Sequence, residues 1–306
     1  MTRWLLAAVL IGLAGIAQAQ GLGAVEAFLR RGQYRLAAQN ITRQLEKSPD
    51  DIELSAMLGV AWSKMGFSVD ALVMFQLCPG ASYYEARGLD AHADALRALG
   101  RGEAAASLRI QRLLTSDLSE VQQLLILLWA ADDLRAAGDY RGALEQVYRA
   151  EALFPRSPMV SAVLADIWMD AGDLEQADAA LWANTLHGQT SRGASVRARR
   201  AMLDEDFAEA SEILEAARMF RNPTPRLASL RAEVLRLQGD PHAAADILER
   251  NRWRSMEIPE LITARLRVYA DLEDAASAEN WVALAEQHYG ANLEVTAALM
   301  YFKEHQ

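Results

Sequence analysis

Apolar and polar residues alternate with a helical period through most of the chain, and the stretch from Ile52 to Cys78 shows the pattern most completely. Leu58 and Trp62 fall on one face of a first helix, and Phe75 falls on the facing side of a second. Gly66 stands between them, where glycine accepts the left-handed conformation that ends a helix. The stretch therefore predicts two helices that are joined by a tight turn and packed against each other.

The same pattern recurs along the chain at a nearly constant spacing. Copies start at residues 18, 52, 86, 124, 158, 191, 225 and 259. The spacing is 34 residues except for 38 before the fourth start and 33 before the sixth. A single hairpin cannot bury its apolar face alone, so each copy needs neighbours. The spacing predicts about eight stacked helical hairpins, followed by a last amphipathic helix at about Asn292–Glu304.

The second copy resembles the tetratricopeptide-repeat (TPR) family, whose pattern is L-G-x2-Y followed by A-x3-F. Leu58, Gly59, Ala71 and Phe75 match this pattern, and Trp62 stands in place of the tyrosine. Ser55 departs from the pattern, because the family has a tryptophan there. The resemblance covers almost the whole mature chain. It implies an all-α, right-handed α-solenoid of about eight TPR hairpins plus a C-terminal capping helix, with a concave groove that commonly holds peptides or partner helices.

Several positions depart from the repeat. Glu205 and Glu273 replace the turn glycine, and Arg109 stands where an apolar residue is expected. The four extra residues lie near Thr115–Glu120 and amount to about one helical turn. They predict a kink or a lengthened helix, for which Ser116, Asp117 and Ser119 are candidate N-caps.

A polar connection, His187–Gly193, is the best candidate for a hinge. It predicts an N-terminal TPR block of about five hairpins at residues 20–190. The C-terminal block would then hold about three hairpins and the capping helix, at residues 191–306.

Residues 1–19 have the pattern of a bacterial secretory signal peptide. Arg3 precedes an apolar run from Trp4 to Ile16, and the small residues Ala17 and Ala19 mark cleavage after Ala19. The alternative, an uncleaved membrane anchor, is weaker because a span needs about 20 apolar residues. The mature chain has no second long apolar stretch, so no stable membrane insertion is expected. The pattern places the protein in the periplasm or outside the cell.

Composition narrows the function further. The formal net charge is −10, and cleavage would remove Arg3 and no acid, changing it to −11. Nucleic-acid binding is not expected, since phosphates attract clustered lysine and arginine. Cys78 is the only cysteine, which excludes an internal disulfide. A buried, inert thiol is the favoured interpretation, and a reactive or intermolecular cysteine is the alternative.

Known catalytic and metal-binding motifs are missing from the sequence. The histidines are scattered, and no phosphate-binding glycine loop or nucleophile elbow is present. The acidic groups Asp50–Asp51, Asp132–Asp133 and Asp204–Asp206 are interpreted as solvated structural carboxylates at helix starts, turns or exposed faces. The sequence therefore predicts no enzyme activity, no cofactor and no metal site.

In the TPR resemblance the first helix of each hairpin lines the groove, mainly through repeat positions 2, 5, 9 and 12. The candidate partner-binding residues of the groove are Asp90, Asp94, Arg97, Trp129, Asp132, Arg135, Asp166 and Met169. Two interpretations stay open: the charged residues contact a ligand, or they form i,i+3 pairs worth about 0.2–0.5 kcal/mol to their own helix. Mixed charge beside Trp129 and methionines fits a protein or peptide partner with basic and apolar residues.

These observations predict a non-enzymatic protein–protein interaction scaffold of the bacterial cell envelope. The alternative is a carbohydrate-binding TPR scaffold of an exopolysaccharide secretion system, in which Tyr83, Tyr84 and Trp129 would stack on sugars. A hydrolase hidden in the solenoid is a third, weaker alternative.

Overall fold

The computed structural model of the protein describes residues 23–78, 80–115, 117–183, 190–217, 224–250 and 258–306. Its regular secondary structure in those ranges is helical, as the apolar spacing predicts. Residues 1–19, the predicted signal peptide, and residues 187–189 of the predicted hinge lie outside the described residues.

Within the described ranges there are seventeen α-helices, of which the first sixteen form consecutive pairs. They are α1 (residues 23–30), α2 (Tyr34–Leu45), α3 (Ile52–Met65), α4 (Ser68–Leu77), α5 (Leu89–Ala98), α6 (Gly102–Thr115), α7 (Glu120–Ala136), α8 (Tyr140–Leu153), α9 (Pro158–Asp170), α10 (Leu174–Trp182), α11 (Ser191–Leu203), α12 (Phe207–Ala216), α13 (Pro225–Leu237), α14 (Pro241–Leu248), α15 (Pro259–Asp271), α16 (Ala275–His288) and α17 (Leu293–Glu304). A short π-helical turn, Tyr84–Gly88, leads into α5. The pairs are eight hairpins and α17 caps them, which confirms the predicted all-α solenoid.

Each hairpin turn places one residue in the left-handed region of backbone space. Six of these residues are glycines, namely Gly32, Gly66, Gly100, Gly138, Gly172 and Gly239. Glu205 and Glu273 adopt the same conformation, with φ of 59° and 52°. The turn geometry is therefore conserved between the hairpins even where the glycine is not, at a steric cost to the two glutamates.

An aspartate follows the left-handed residue in the last five turns and caps the second helix of the hairpin. These caps are Asp139, Asp173, Asp206, Asp240 and Asp274, and each side chain accepts from the backbone N–H three residues later. Asp51 caps α3 in a similar way, accepting from Glu53 and Leu54 at 3.1 Å each. The predicted structural role is confirmed for Asp51 and Asp206, because their carboxylates accept from otherwise unpaired N–H groups at helix starts.

The packing of the hairpins explains the small residues of the repeat. A Cβ added to Gly59 would lie 2.7 Å from the Phe75 ring, so glycine is needed where α3 and α4 cross. Between α7, α8 and α9, small and large apolar residues alternate in one core, including Ala131, Ala143 and Ile167.

The four extra residues of the third copy lengthen a helix. Helix α7 has 17 residues, against 14 in α6 and α8. It begins with a capping box, in which Ser119 accepts from the Gln122 N–H and the Gln122 side chain accepts from the Ser119 N–H. Of the two predicted outcomes, a lengthened helix is the one observed.

The chain divides into two compact units, Met1–Ala95 and Leu96–Gln306, so the division falls within α5. The predicted boundary between residues 190 and 191 lies inside the second unit and stays a prediction about a hinge.

The first and last turns of the second unit lie against each other. A Cβ on Gly100 would sit 2.2 Å from the Ala291 carbonyl oxygen, and Asn292 Nδ2 donates to the Ala98 carbonyl at 3.0 Å. Asn292 Oδ1 also accepts from the Val295 N–H, which caps α17. One side chain thus fixes both the start of the last helix and its contact with the end of α5.

Candidate functional site

The first helices of the hairpins in the second unit carry charged side chains that join one helix to another. We call the surface formed by these side chains on α7, α9, α11, α13 and α15, together with the adjoining side chains of the capping helix α17, the first-helix face. Seven of them form what we call the central network: Asp132, Arg135, Asp166, Asp170, Arg192, Arg199 and Arg226.

Asp166 is the hub of the central network and is fully buried. One oxygen accepts from Arg199 Nη1 at 2.7 Å and from Arg226 Nη2 at 2.8 Å, and the other accepts from Arg192 Nη2 at 3.3 Å. Burial raises the pKa of Asp166, but the positive charges of Arg226, Arg135 and Arg199 outweigh burial and hold that pKa well below its usual range. The carboxylate therefore stays charged, because it accepts hydrogen bonds from three arginines that come later in the chain.

Asp132 is bound through both carboxylate oxygens by an arginine two hairpins later in the chain. Its two oxygens accept from Arg192 Nη2 and Nη1, both at 2.5 Å, and Arg135 Nε lies 3.7 Å away on the same helix. Burial raises the pKa of Asp132, but Arg192 and then Arg135 lower it to about 2. The bidentate geometry is the strongest form of a carboxylate–guanidinium contact.

The long-range pairs repeat with the hairpins. Asp132 and Arg192 are 60 residues apart, and so are Asp166 and Arg226. In each case an arginine at repeat position 2 reaches an aspartate at position 9 two hairpins earlier. The curvature of the solenoid thus brings together side chains of helices that are not consecutive in the stack.

A second set of charged side chains, the C-terminal network, continues along the first-helix face. It consists of Glu233, Arg236, Arg267, Asp271 and Tyr301. Arg236 donates to both oxygens of Glu233 at 3.0 Å and to Asp271 at 2.9 Å, while Arg267 donates to Glu233 at 3.1 Å. The Tyr301 hydroxyl donates to the other oxygen of Asp271 at 2.6 Å. This network links α13, α15 and α17 with equal numbers of positive and negative groups.

A buried ion pair lies behind the face, between α6 and α7. Arg109 Nε is 2.6 Å from Asp133 Oδ2, and both side chains are almost fully buried. The Arg109 guanidinium also lies 5.3 Å from the centre of the Trp129 ring, which is a favourable cation–π distance. This pair explains why Arg109 replaces an apolar residue, and it corrects the prediction that Asp132–Asp133 are solvated carboxylates. Asp133 instead compensates a buried arginine.

The structure places the eight predicted groove residues in different surroundings. Asp132, Arg135 and Asp166 come together in the central network. Met169 is buried and belongs to a hydrophobic core cluster that also contains Val196 of α11. Arg97 lies 3.4 Å from Asp133 rather than in a network.

The remaining predicted residues differ further. Trp129 keeps 37% of its surface exposed beside Arg109. Asp90 and Asp94 lie in the first unit, where Asp94 is 2.7 Å from Lys64 of the preceding hairpin. That these eight residues bind a partner stays a prediction.

Neither interpretation of the charged residues included ion pairs between helices, which are the main feature of the face. The i,i+3 pairs exist for Asp132 with Arg135 and for Glu233 with Arg236. The stronger contacts, however, run between helices. The sequence does contain an indication of these ion pairs. Arg192 and Arg226 both stand at position 2 of neighbouring copies.

Two of the three aromatic residues proposed to stack on sugars are buried or hydrogen-bonded within the chain. Tyr83 is buried, and the Tyr84 hydroxyl lies 2.6 Å from His92 Nδ1. The most exposed aromatic side chains of the second unit's described residues are instead Tyr148 and Trp182, at 50% and 80%.

Cys78 is buried, and burial followed by the charge of Glu53 raises the pKa of its thiol to about 11, as expected for an inert thiol. The described residues contain no group of three or more histidine, cysteine, aspartate or glutamate side chains that could hold a metal ion. None of the helices in the described ranges combines the length and the apolar character that a membrane crossing requires.

Comparison with solved structures identifies the architecture. A tetratricopeptide repeat protein from Parabacteroides merdae matches with a TM-score of 0.54 at 15% sequence identity, over 93% of this chain and 98% of that protein. The chain has the tetratricopeptide-repeat fold.

Two further structures match this TPR fold less closely. They are the Cut9–Hcn1 hetero-tetramer of the APC/C and PilF of Pseudomonas aeruginosa, with TM-scores of 0.49 and 0.41 at 15% and 19% identity. The matches cover 91% and 72% of this chain, and 55% and 100% of those chains. No family model and no curated protein matches the sequence.

Proposed function

We propose that this TPR chain is an exported, non-enzymatic scaffold of the bacterial cell envelope that binds a partner protein on the first-helix face of its second unit. The TPR fold supports a protein-interaction scaffold in general. The pattern of residues 1–19 supports export. The geometry of the first-helix face supports that location for the contact.

The observation that carries the proposal is the fixed array of arginines on this face. Arg192, Arg199 and Arg226 keep 24%, 25% and 25% of their side chains exposed, while their guanidinium groups are held by aspartates. Ordering these long side chains in advance lowers the entropy that a partner must otherwise overcome. Arginine is also enriched among the residues that contribute most to protein interfaces.

Capture of partners from an envelope extract tests the face. The mature chain is compared with the variant Arg226→Ala/Arg267→Ala, which removes one partly exposed cation from each network. We expect recovery of specific partners to fall about tenfold or more, since two charge-assisted contacts are lost.

The matched control is Arg231→Ala. Arg231 also lies on α13 but pairs with Glu215 of α12, away from both networks. Equal recovery with wild type and the double variant, in folded proteins, would contradict the assignment of the face.

Export is tested separately. Mass spectrometry of the protein from a periplasmic fraction should find an N-terminus at Gln20. An intact Met1 in a cytoplasmic fraction would contradict export and leave the binding face untouched.

A further inference from the structure

The charges of the central network do not balance. Four arginines (Arg135, Arg192, Arg199 and Arg226) are joined to three aspartates (Asp132, Asp166 and Asp170). The whole chain carries a net charge of −10, so a cluster with one surplus positive charge runs against its average. Building on the proposed partner-binding role of this face, we infer that the central network binds a carboxylate of an acidic segment of the partner protein.

Arg226 is the cation with unused capacity. It donates from Nη2 to Asp166 at 2.8 Å, and no described residue accepts from its Nε or Nη1. Glu260, at the same repeat position on α15, forms no ion pair with it. One quarter of the Arg226 side chain is exposed, so an incoming carboxylate can reach it. A planar guanidinium with two adjacent donors matches a carboxylate in geometry as well as in charge.

A second arginine lies beside this position. Arg192 and Arg226 both contact Asp166, on opposite oxygens, so a carboxylate at Arg226 also feels the charge of Arg192. Arg192 Nε is buried and has no acceptor among the described residues. The site thus holds more donors than its own aspartates can satisfy.

A basic segment is disfavoured at the same place. Each aspartate of the central network is paired with at least two arginines. A partner lysine would have to displace a guanidinium and leave it partly buried without a counter-charge, which is costly. The inferred acidic segment therefore differs from the expected partner segment with basic and apolar residues.

Labelled peptides of equal length test the chemistry on the full mature protein. Three probes alternate alanine with glutamate, with glutamine or with lysine, and binding is followed by fluorescence anisotropy. We expect the glutamate probe to bind about tenfold tighter than the glutamine probe, with the difference shrinking as salt is added. Equal binding of these two probes, or tighter binding of the lysine probe, would overturn the inference.

The variant Arg226→Gln assigns the effect to the central network. It leaves three arginines against three aspartates and should weaken the glutamate probe about tenfold. Arg231→Gln, on the same helix, is the matched control and should bind as wild type does. An unchanged glutamate affinity in folded Arg226→Gln would contradict the assignment. If that variant does not fold, the probe series on the wild-type protein decides alone.

The outcome is separable from the proposed function. Partner capture that depends on Arg226 and Arg267, together with no preference for the glutamate probe, would keep the scaffold proposal and reject the acidic segment. A clear glutamate preference without any captured partner would support the acidic site and count against the extract-based assignment.

Discussion

The central and C-terminal networks occupy the same face of one solenoid, yet they differ in the balance of their charges and in the burial of one carboxylate, that of Asp166. The central network surrounds the fully buried Asp166 with three arginines. In the C-terminal network Glu233 and Asp271 keep 14% and 22% of their side chains exposed, and two arginines match them. Both networks reach two steps along the stack, since Arg236 Nη1 of α13 also donates to the Tyr301 hydroxyl of α17 at 3.4 Å.

This difference shows that repeat geometry decides where charged side chains meet but not how their charges sum. A buried carboxylate needs positive charges beside it. Removing one partner from the central network would leave a buried charge without a counter-charge, and this is strongly destabilising. Partly exposed pairs are screened by water and contribute less. The loss of a charge from the central network should therefore lower the free energy of unfolding more than a loss from the C-terminal network. Of the two, the central network alone carries a surplus charge.

Removing one acid from each network should give the largest contrast. Asp166→Ala leaves three guanidinium groups around an uncharged site and should reduce the free energy of unfolding by about 3–5 kcal/mol. Asp271→Ala removes a partly exposed pair and should cost about 1 kcal/mol. Urea denaturation of both variants measures the difference, and equal losses would show that burial does not separate the networks.

Acid should weaken the central network in a defined range. The pKa of Asp132 is 3.8 in its unperturbed state and about 2 in the folded protein. The stabilisation is complete above about pH 4 and is lost as the pH falls towards 2, since the unfolded chain then binds the proton more readily. Wild type should exceed Asp132→Asn by about 2 kcal/mol at neutral pH, and this gap should close in acid. A gap that stays constant with pH would show that the charge of Asp132 is not what stabilises.

The fold was predictable from the sequence because its determinants are local and repeat. The glycine of each turn and the alanines of each crossing recur at fixed positions, so eight hairpins and a cap follow from spacing alone. Glu205 and Glu273 stand where the pattern has the turn glycine. They adopt the left-handed conformation nonetheless, because tertiary packing of the hairpins overrides the preference of a single residue.

The candidate site was only half predictable. Asp132 and Asp166 were identified from their repeat position, but their partners were not. Arg192 lies two hairpins after Asp132, and which residues meet at that distance depends on the curvature of the stack. Arg109 was likewise a local anomaly until Asp133, on the next helix, supplied its counter-charge.

Double-mutant cycles should show the same contrast as coupling energies. Asp132 and Arg192 form two hydrogen bonds of 2.5 Å in a mostly buried setting, so we expect a coupling of about 1–2 kcal/mol. Glu233 and Arg267 share one contact of 3.1 Å, Arg267 is one-third exposed, and about 0.5 kcal/mol is expected. A stronger coupling in the second pair would reverse the proposed ranking of the networks.

A matched pair of turn variants should give the smallest effect and the same effect in both regions. Glu205 ends the turn after α11 of the central network, and Glu273 ends the turn after α15 of the C-terminal network. Glycine removes the strain of a side chain at positive φ, although it adds flexibility to the unfolded chain. Each substitution, Glu205→Gly or Glu273→Gly, should raise the free energy of unfolding by about 0.5–1 kcal/mol in urea denaturation. Similar gains would show that the backbone tolerates change equally in the two regions, so the larger contrasts belong to the ion pairs. A gain at one turn with a loss at the other would instead attribute part of those contrasts to local packing of the hairpins.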